Sequence, residues 1–437
     1  MKRAAFYTLG CKVNQYETEA LTGLFEKEGY QTVDFSEIAD VYVINTCTVT
    51  GLSDRKSRQM IRRARGANKD AIIVVAGCYS QTSPGEVSSI PGVDLVIGTG
   101  QRERIVEYVR QVEQERKQVV VVGDIMKEKS FEKLKLDTYK GRTRAFLKIQ
   151  EGCTQFCSYC IIPYARGPVR SREPEDVMGE VEKLAEAGFK EIVLTGIHLA
   201  SYGRDLKTTS LLDILKRINP ISGIERIRIG SVEPTLLTEE FVKDAAQLDK
   251  LCPHFHVSLQ SGCDATLKRM NRRYTTAEYR EVVLRLREYI PDVSVTTDVM
   301  VGFPGETEEE FGETCRFLRE IALAKMHVFK YSPRKGTPAA VMPGQVTPEI
   351  KEKRSKVLLD LSDTLTEEFN RRFIGRTLPV LLEEELKDEA GMLEGLTPNY
   401  IRTLCAAGSE YKGKIADVKI LRTEQDYARG EIIFCGK

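Results

Sequence analysis

The sequence predicts an α/β protein with a small all-β unit at its end, and three observations support this fold class. Apolar runs alternate with amphipathic runs through residues 1–125, which is typical of a parallel sheet covered by helices. The alternation resumes at Ala145 with six candidate strands and predicts a partial (β/α)6 barrel, short of the eightfold form. After residue 373, short β-rich runs separated by glycines predict an OB-like β-barrel. We therefore expect three domains, at residues 1–126, 139–372 and 373–437.

The first domain contains apolar runs of strand length and two helical runs. The spacing of Leu21, Leu24 and Phe25 predicts a helix over residues 17–28, and a second helix is expected over residues 53–65. A charged stretch at residues 127–144 predicts a linker or an exposed arm. The predicted strands cover residues 3–9, 41–44, 71–76 and 95–97.

The second domain repeats this alternation and ends in a long helix. Helical runs such as residues 175–187 and 277–289 separate its strands, and residues 349–373 form a long amphipathic helix. In such barrels, ligand sites gather at the carboxyl ends of the strands. The six predicted strands cover residues 145–149, 191–194, 226–230, 254–259, 293–301 and 325–331.

Composition narrows the class of protein. The 437 residues include 65 Lys or Arg and 64 Asp or Glu, so the net charge is +1 and bulk charge cannot hold a polyanion. The longest apolar runs are far shorter than the roughly 20 residues that span a bilayer. Polar residues interrupt the N-terminal run too early for a signal peptide. We therefore predict a cytoplasmic protein without a membrane partner.

Eleven cysteines and only four histidines indicate thiolate metal chemistry. An odd cysteine count in a long chain without a signal peptide argues against a disulfide framework. The strongest pattern is Cys153-x3-Cys157-x2-Cys160, directly after a predicted strand. Three thiolates in one loop can hold three irons of a four-iron cluster and leave one iron open. A structural zinc loop is the alternative, but it needs a fourth ligand, and the nearest histidine in sequence is His198.

This loop resembles the motif of the radical S-adenosylmethionine superfamily, in which an aromatic residue precedes the last cysteine, here Tyr159. The resemblance implies that S-adenosylmethionine chelates the open iron and is cleaved to a radical by an electron from the cluster. It also implies a cofactor cradle in the stretches 194–198, 229–234, 257–262 and 301–306. The candidate cofactor-binding residues are Tyr159, Gly196, Ser231, Glu233, Gln260 and Asp298.

Three further cysteines each follow a strand of the first domain. Cys11, Cys47 and Cys78 are separated by 36 and 31 residues, about one βαβ repeat in each case. Because the carboxyl ends of parallel strands meet at one sheet edge, the three thiols are expected to converge there. Buried cysteines often only line a core, but three in equivalent positions favour a second three-thiolate cluster with an open iron. The candidate metal ligands are Cys11, Cys47, Cys78, Cys153, Cys157 and Cys160.

The whole arrangement resembles the methylthiotransferase family, which joins a three-cysteine domain, a radical S-adenosylmethionine barrel and a C-terminal TRAM domain. Residues 8–19 (TLGCKVNQYETE) and the loop at residues 152–167 resemble the threonylcarbamoyladenosine tRNA methylthiotransferase branch. The resemblance implies methylthio transfer to C2 of N6-threonylcarbamoyladenosine at position 37 of tRNA, with no side chain as catalytic acid or base. It also implies two 4Fe–4S clusters, S-adenosylmethionine, a tRNA substrate, and an unidentified electron donor and sulfur source.

Other interpretations stay open at this point. Related branches act on isopentenyladenosine in tRNA or on an aspartate of a ribosomal protein, and the choice of branch depends on resemblance alone. A non-catalytic iron–sulfur electron carrier belongs to another class, but four cysteines per cluster would be expected there. A zinc-stabilised RNA-binding protein is the last alternative. The remaining cysteines show no ligand spacing and are expected to be buried or incidental thiols: Cys252, Cys263, Cys315, Cys405 and Cys435.

Local charge predicts where RNA would bind. Residues 55–69 carry seven basic side chains and no acidic one, on a predicted helix shortly after Cys47, so this face could bind phosphates. Smaller basic patches lie at residues 268–273 and 330–335. From residue 373 onward there are nine basic and eleven acidic residues, so RNA binding there would need selected side chains. The candidates are Arg402, Lys412 and Lys414, with Tyr400 or Tyr411.

Overall fold

The computed structural model describes residues 1–134, 143–386 and 389–433. The first part, called here the N-terminal sheet, has strands β1 (Arg3–Thr8), β2 (Gln31–Val33), β3 (Val41–Thr46), β4 (Ile72–Gly77), β5 (Leu95–Ile97) and β6 (Val119–Val121). Its helices are α1 (Lys12–Lys27), α2 (Gly51–Ala67), α3 (Cys78–Thr82), α4 (Pro84–Ser88) and α5 (Ile105–Glu115). The strand order is β2-β1-β3-β4-β5-β6, and every neighbouring pair is parallel. Both β3 and β4 are buried along their whole length.

The second part is a partial barrel. Its strands are β7 (Arg144–Glu151), β8 (Arg170–Ser171), β9 (Glu191–Gly196), β10 (Arg226–Ile229), β11 (His254–His256), β12 (Ser294–Val301) and β13 (Lys325–Lys330). Six are parallel and run in the order β7-β9-β10-β11-β12-β13, with isolated bridges joining β10 to the segment around β11, while short β8 pairs antiparallel with β7.

Helices cover the outside of the partial barrel. They are α7 (Pro174–Glu186), α8 (Leu211–Ile218), α9 (Glu239–Ala245), α10 (Asp264–Arg269), α11 (Thr276–Tyr289), α12 (Glu308–Ile321) and α13 (Pro348–Arg371), whereas α6 (Ile162–Arg166) packs against α3 of the N-terminal sheet. Outward-facing residues of the strands pack with them in one large apolar core. Among the described helices, none is both long and apolar enough to cross a bilayer.

The third part is a closed barrel of five short strands. The strands are β14 (Thr377–Glu385), β15 (Met392–Leu396), β16 (Arg402–Ala406), β17 (Ile415–Glu424) and β18 (Tyr427–Ile432). They close in the order β14-β15-β16-β18-β17, and every pair is antiparallel except β16 with β18. The fold class predicted from the sequence is confirmed.

The sequence pattern accounts for the long strands and misses the short ones. All strands expected in the N-terminal sheet and the partial barrel are present. Strands β2, β6 and β8, which are not predicted, have only two or three residues; β2 is mostly exposed and β8 is polar, whereas β6 is a run of three valines as apolar as the predicted β5. The domain boundaries at residues 126, 139 and 373 stay predictions.

The expectation of an exposed arm is wrong for Leu134 and for the Glu132 side chain, whereas the expectation of a linker stays a prediction. Leu134 is buried, and the Glu132 carboxylate pairs with the buried Arg102 guanidinium. The Lys148 ammonium lies 5.4 Å from the centroid of the Phe131 ring. Residues 131–134 therefore pack between the N-terminal sheet and the partial barrel, because their few apolar and acidic residues have buried partners. Of the rest of the predicted arm, residues 127–130 are largely exposed, Arg144 begins β7, and residues 135–142 lie outside the described residues.

The C-terminal barrel covers the floor of the partial barrel, where the parallel strands begin. From β10, Arg226 and Arg228 donate to four backbone carbonyls in the segment 379–398. The Tyr400 ring stacks on His254, with ring centroids 4.2 Å apart. The expectation that Tyr400 stacks on RNA is therefore wrong, because its ring face packs inside the protein.

Candidate functional site

The three cysteines of the N-terminal sheet lie at one edge of it. Cys11 follows β1, Cys47 follows β3 and Cys78 follows β4. These strands are adjacent and parallel, so their carboxyl ends coincide. The Cys78 thiol is within electrostatic range of both other thiols. The structure thus brings together three cysteines that are distant in sequence.

Two glycines allow this convergence. Gly10 has φ +113°, and a Cβ there would come within 2.9 Å of the Cys47 Cβ. Gly77 has φ +98°, and a Cβ there would lie 2.6 Å from the Asn45 side chain and 2.7 Å from the Thr46 carbonyl oxygen. Both positions combine a left-handed backbone with close approach of the end of β3, so glycine is required.

Asn14 and Arg166 fix the positions of the segments that carry the three cysteines through hydrogen bonds. Asn14 Nδ2 donates to the carbonyls of Leu9 and Thr46 at 2.8 and 3.0 Å. Arg166, from the partial barrel, donates from Nη2 to Asn14 Oδ1 at 2.8 Å and from Nε to Cys78 Sγ at 3.1 Å. Burial raises the pKa of the Cys78 thiol to about 12, and the Arg166 charge opposes this. Arg166 therefore favours the thiolate, the form that binds metal.

The other three cysteines lie in the loop after β7. Gly152 opens this loop with φ +73°, and a Cβ there would meet the Pro168 carbonyl oxygen at 1.8 Å. The Cys160 thiol is within electrostatic range of Cys157 and Cys153. Burial raises the pKa of Cys153 to about 11 and that of Cys160 to about 12. The loop therefore gathers three thiols that release protons when they bind a metal centre.

Arg272 connects this loop to the candidate cofactor residues. Its Nη1 donates to Cys157 Sγ at 3.3 Å, and its Nη2 lies 3.0 Å from a Glu233 carboxylate oxygen. The same carboxylate lies 3.0 Å from His198 Nε2 and accepts from Gln155 Nε2 at 3.1 Å. Burial alone would raise the pKa of Glu233, but His198 and Arg272 outweigh it and lower that pKa. Glu233 is therefore an ionised carboxylate beside the cysteine loop.

Three other predicted cofactor residues lie around the mouth of the partial barrel. Gly196 ends β9, and a Cβ there would come within 2.8 Å of the Gln150 side chain. Ser231 is exposed just after β10. Tyr159, inside the cysteine loop, packs edge-on against Phe303 with ring centroids 6.4 Å apart. These residues share the end of the barrel where the strands finish.

Gln260 and Asp298 are linked to each other through the backbone. The Gln260 N–H donates to the Asp298 carbonyl at 2.8 Å, and Gln260 has φ +72°. The Asp298 carboxylate lies 3.3 Å from His256 Nε2. Because Asp298 is within β12 and not beyond it, it lines the barrel interior below the mouth.

The donor sets suit iron–sulfur clusters better than a single metal ion. Across the described ranges, no group of three or more His, Cys, Asp or Glu side chains is arranged to hold one ion. A four-iron cluster needs a wider arrangement, because each thiolate binds its own iron. All six candidate ligands are free cysteines, and a guanidinium donates to one sulfur in each group. The zinc alternative is therefore disfavoured.

The remaining cysteines behave as the sequence suggests. Cys252, Cys263 and Cys405 are buried free thiols, and Cys315 is a half-buried one. Cys435 lies outside the described residues.

A buried ion network joins the two cysteine groups. Glu17, on α1, is fully buried and pairs with Arg102, Lys148 and Arg166. Lys148 and Arg166 also pair with Glu151, the last residue of β7. Burial alone would raise the pKa of Glu17, but these cations lower it well below its usual range. The network therefore connects the helix after Cys11 to the strand that leads into the second cysteine loop.

The Cys47 loop is also held by the partial barrel. Arg334, after β13, pairs with Asp54 at 2.6 Å and donates to Thr48 Oγ1 at 2.5 Å. The predicted RNA patch at residues 330–335 is therefore wrong for Arg334, since its guanidinium is turned inward to the N-terminal sheet.

The other basic patches divide into paired and free cations. On α2, Arg58 and Arg65 pair with acidic residues. In the patch at residues 268–273, Arg269 pairs with Glu310 and Arg272 is turned inward, which leaves Lys268 and Arg273 as its exposed cations. Sequence reasoning missed Arg272 as a site residue because only its charge was visible. The exposed basic residues of α2 are Arg55, Lys56, Arg62 and Arg63.

Comparison with known proteins identifies the family. Residues 147–318 match the Radical SAM superfamily, and residues 3–98 match the family described as Uncharacterized protein family UPF0004. The chain is 46% identical to the threonylcarbamoyladenosine tRNA methylthiotransferase MtaB of Bacillus subtilis, covering 99% of this chain and 97% of that protein. This chain belongs to the radical S-adenosylmethionine methylthiotransferase family. It is a transferase of the class that uses S-adenosylmethionine and two 4Fe–4S clusters.

Further relatives agree with this family. The chain is 42% identical to the MtaB protein of Aquifex aeolicus, and the match covers 96% of this chain and 100% of that protein. The chain is 37% identical to a tRNA-2-methylthio-N(6)-dimethylallyladenosine synthase of Clostridium tetani, and the match covers 97% of this chain and 95% of that protein. Among solved structures, the radical S-adenosylmethionine methyltransferase TsrM of Kitasatospora setae gives a TM-score of 0.58 at 18% identity. The match covers 78% of this chain and 74% of TsrM. That last likeness shows the fold alone.

Replacing Glu17 by Gln should destabilise the methylthiotransferase strongly. The change leaves three buried cations with too little negative charge, and breaking a buried ion pair costs about 3–5 kcal/mol. The free energy of unfolding, measured in urea, would show this loss. The matched change Glu113→Gln, in the exposed pair with Lys2, should cost less than about 1 kcal/mol. Equal losses for the two variants would contradict this role for Glu17.

The low pKa of Glu17 should also make the free energy of unfolding depend on pH. Because the pKa of Glu17 in the folded protein is well below its usual 4.5, the ionised carboxylate stabilises the fold at every pH above that value. This contribution is lost as the pH falls below 4.5 towards the folded-state pKa. Unfolding free energies measured from neutral to acid pH should therefore fall more steeply for the wild type than for Glu17→Gln. Parallel curves would show that Glu17 does not titrate in this way.

Replacing Gly152 by Ala should disrupt the loop of Cys153. The new Cβ would collide with the Pro168 carbonyl oxygen, so the iron bound after anaerobic reconstitution should fall from about eight to about four per chain. The control is Gly179→Ala in α7, where a Cβ meets nothing within 4 Å. It should leave the iron content unchanged and stabilise the helix slightly. Full iron loading of Gly152→Ala would contradict the prediction.

Proposed function

We propose that this methylthiotransferase adds a methylthio group to C2 of N6-threonylcarbamoyladenosine at position 37 of tRNA. The observation that carries this proposal is the 46% identity, over nearly the whole chain, to the Bacillus subtilis enzyme named for that nucleoside. Identity to the Clostridium tetani dimethylallyladenosine enzyme is lower, at 37%. A tRNA substrate implies that the enzyme works in the cytoplasm, with a separate electron donor and sulfur source as partners.

We propose that each cysteine group holds one cluster, in separate domains at residues 1–126 and 139–372. When bound, the clusters and S-adenosylmethionine supply the radical chemistry that replaces the unreactive C2–H bond of adenine with a C–S bond. The protein side chains bind and orient these groups, and none needs to act as acid or base. The proposed ligands are Cys11, Cys47 and Cys78 for one cluster, and Cys153, Cys157 and Cys160 for the other.

The mouth of the partial barrel supports a site for S-adenosylmethionine. Ionised Glu233 offers a carboxylate that complements the positive amino group of this cofactor. Gly196 lets the Gln150 side chain pack against the end of β9, because a Cβ at position 196 would come within 2.8 Å of it. Arg272 positions both Glu233 and Cys157. Tyr159, Ser231, Gln260 and Asp298 are the further proposed contacts, because each lies at the mouth or in the interior below it.

Nucleoside analysis of tRNA tests the substrate. Bulk tRNA from cells that lack the gene should lose 2-methylthio-N6-threonylcarbamoyladenosine, detected by mass spectrometry, and a plasmid copy of the gene should restore it. Loss of the methylthio derivative of dimethylallyladenosine would instead assign the enzyme to the branch of the Clostridium relative. Unchanged tRNA with a modified ribosomal protein lost would overturn the tRNA assignment.

Single cysteine variants test the division of labour between the two groups. Cys157→Ala should abolish cleavage of S-adenosylmethionine, and Cys47→Ala should keep cleavage but stop methylthio transfer. Each should bind about four irons where the wild type binds about eight. Cys405→Ala, in the core of the C-terminal barrel, is the control and should retain both activities and all the iron. If Cys47→Ala also loses cleavage, the two groups do not have separate roles.

The exposed face of α2 should contribute to tRNA binding. Arg55 and Arg62 are two turns apart, on one face of the helix after Cys47. The double change to Glu should weaken tRNA binding and make its dependence on salt shallower, because phosphate contacts release counterions. The control double change, Lys353 and Lys356 to Glu on α13, keeps the same charge difference. Equal losses for both double variants would show a nonspecific charge effect and overturn the assignment of α2.

A further inference from the structure

Lys12 places a cation inside the partial barrel. It follows Cys11 directly and begins α1. Its side chain is half-buried, and its ammonium lies 6.0 Å from the centroid of the Phe146 ring on β7. The ammonium is within electrostatic range of Tyr400 and Arg228, which lie at the floor. The N-terminal sheet thus contributes one charged side chain to the interior of the neighbouring barrel.

The interior that Lys12 enters is polar. In complete eightfold barrels this space is filled by branched apolar side chains. Here the outward-facing residues of β7 and β9, such as Leu147 and Ile192, belong to the apolar core. The residues that alternate with them on the strands face the interior and are mostly polar, so the space suits a polar ligand. They include Lys148, Thr195, Arg228, His254, His256 and Thr296.

Among the residues that the structure describes, Lys12 has no counter-ion in this interior. Glu191 is a carboxylate in its electrostatic range, but it is buried and already paired with Arg228 at 2.8 Å, and the Asp298 carboxylate lies 3.3 Å from His256 Nε2. In the described ranges of the chain, the Lys12 ammonium makes neither an ion pair nor a hydrogen bond. Nδ1 of the buried His254 also has no hydrogen-bond partner there. A shielded cation without an anion is unfavourable, and an anionic ligand group would complete the site.

We propose that Lys12 determines substrate specificity by binding the carboxylate of the threonylcarbamoyl group, an inference that rests on the function proposed above. The reacting C2 of adenine must face the centre held by Cys11. N6 is bonded to C6 of the same six-membered ring, and one ring atom, N1, lies between C6 and C2. Consecutive Cα atoms are about 3.8 Å apart, so the flexible side chain of the residue after Cys11 reaches the N6 substituent.

The proposal explains how related nucleosides are told apart. The threonylcarbamoyl group ends in a carboxylate and a hydroxyl group, whereas a dimethylallyl group is apolar and uncharged. An apolar group in this space would leave Lys12 desolvated and unpaired, so the site rejects it by the cost of that unpaired charge. A hydrogen bond to a charged group changes affinity by roughly tenfold to a hundredfold.

Binding of synthetic anticodon stem-loops tests the proposal. One stem-loop carries N6-threonylcarbamoyladenosine at position 37, and a second carries its methyl ester, which removes only the negative charge. The full-length reconstituted wild type should bind the acid at least about tenfold more tightly than the ester, measured by fluorescence anisotropy. Lys12→Gln should bind both as weakly as the wild type binds the ester, and Lys12→Arg should keep the preference for the acid.

Two results would overturn the proposal. Equal binding of acid and ester by the wild type would show that no cation meets the carboxylate, and this comparison does not depend on any variant folding. A preference for the acid that persists in Lys12→Gln would assign the contact to another cation. Iron content and thermal unfolding of Lys12→Gln should match the wild type. A third stem-loop, with dimethylallyladenosine at position 37, makes failure of the proposed function distinguishable: the wild type would then methylthiolate this stem-loop and not the one with N6-threonylcarbamoyladenosine.

Discussion

The structure depends on a completely buried ion network around Glu17. Removing a charge from water is expensive, so buried carboxylates and guanidiniums persist only when each is paired with good geometry. Glu17 meets three cations from both halves of the molecule, and Glu151 balances two of them. The two halves can therefore dock in one arrangement, since a small shift would leave several charges unpaired at once. A purely apolar interface of the same size would tolerate such a shift more easily.

This constraint sets the relation between the two cysteine groups. Glu17 lies on the helix that begins after Cys11, and Glu151 precedes the loop of Cys153, so the same ions position both. Arg166 adds a direct contact, because it belongs to the network and also donates to Cys78 Sγ. A reaction that involves two centres needs a fixed separation between them, as misplacement of reacting groups by about 1 Å costs large factors in rate. The chemistry of the site therefore requires a rigid ion network, because this network fixes the distance between the two cysteine groups.

Local patterns in the sequence predict the fold and the cysteines but not the residues that connect them. The apolar runs and the loop Cys153-x3-Cys157-x2-Cys160 are short-range features, and the register of strands explains the convergence of Cys11, Cys47 and Cys78. Glu17 and Arg166 are 149 residues apart, and nothing near either one in sequence indicates the pairing. Arg272 and Arg334 resemble surface charge in sequence, yet their partners lie in distant loops and on α2. Such contacts depend on tertiary packing, which a periodicity cannot specify.

The C-terminal barrel gives the interior a floor and so limits how a substrate enters. Arg226 and Arg228 of the partial barrel donate hydrogen bonds to backbone carbonyls of the C-terminal barrel. Tyr400 of the C-terminal barrel has φ +69° and stacks its ring on His254. A positive φ in a tyrosine is strained, and the stacking and cation contacts in this floor offset that strain. With this end covered, a nucleoside must approach from the mouth, where both cysteine loops lie. The proposed contact between the N6 substituent and Lys12 fits this direction of approach, and the face of the Tyr400 ring that stacks on His254 is not available to RNA.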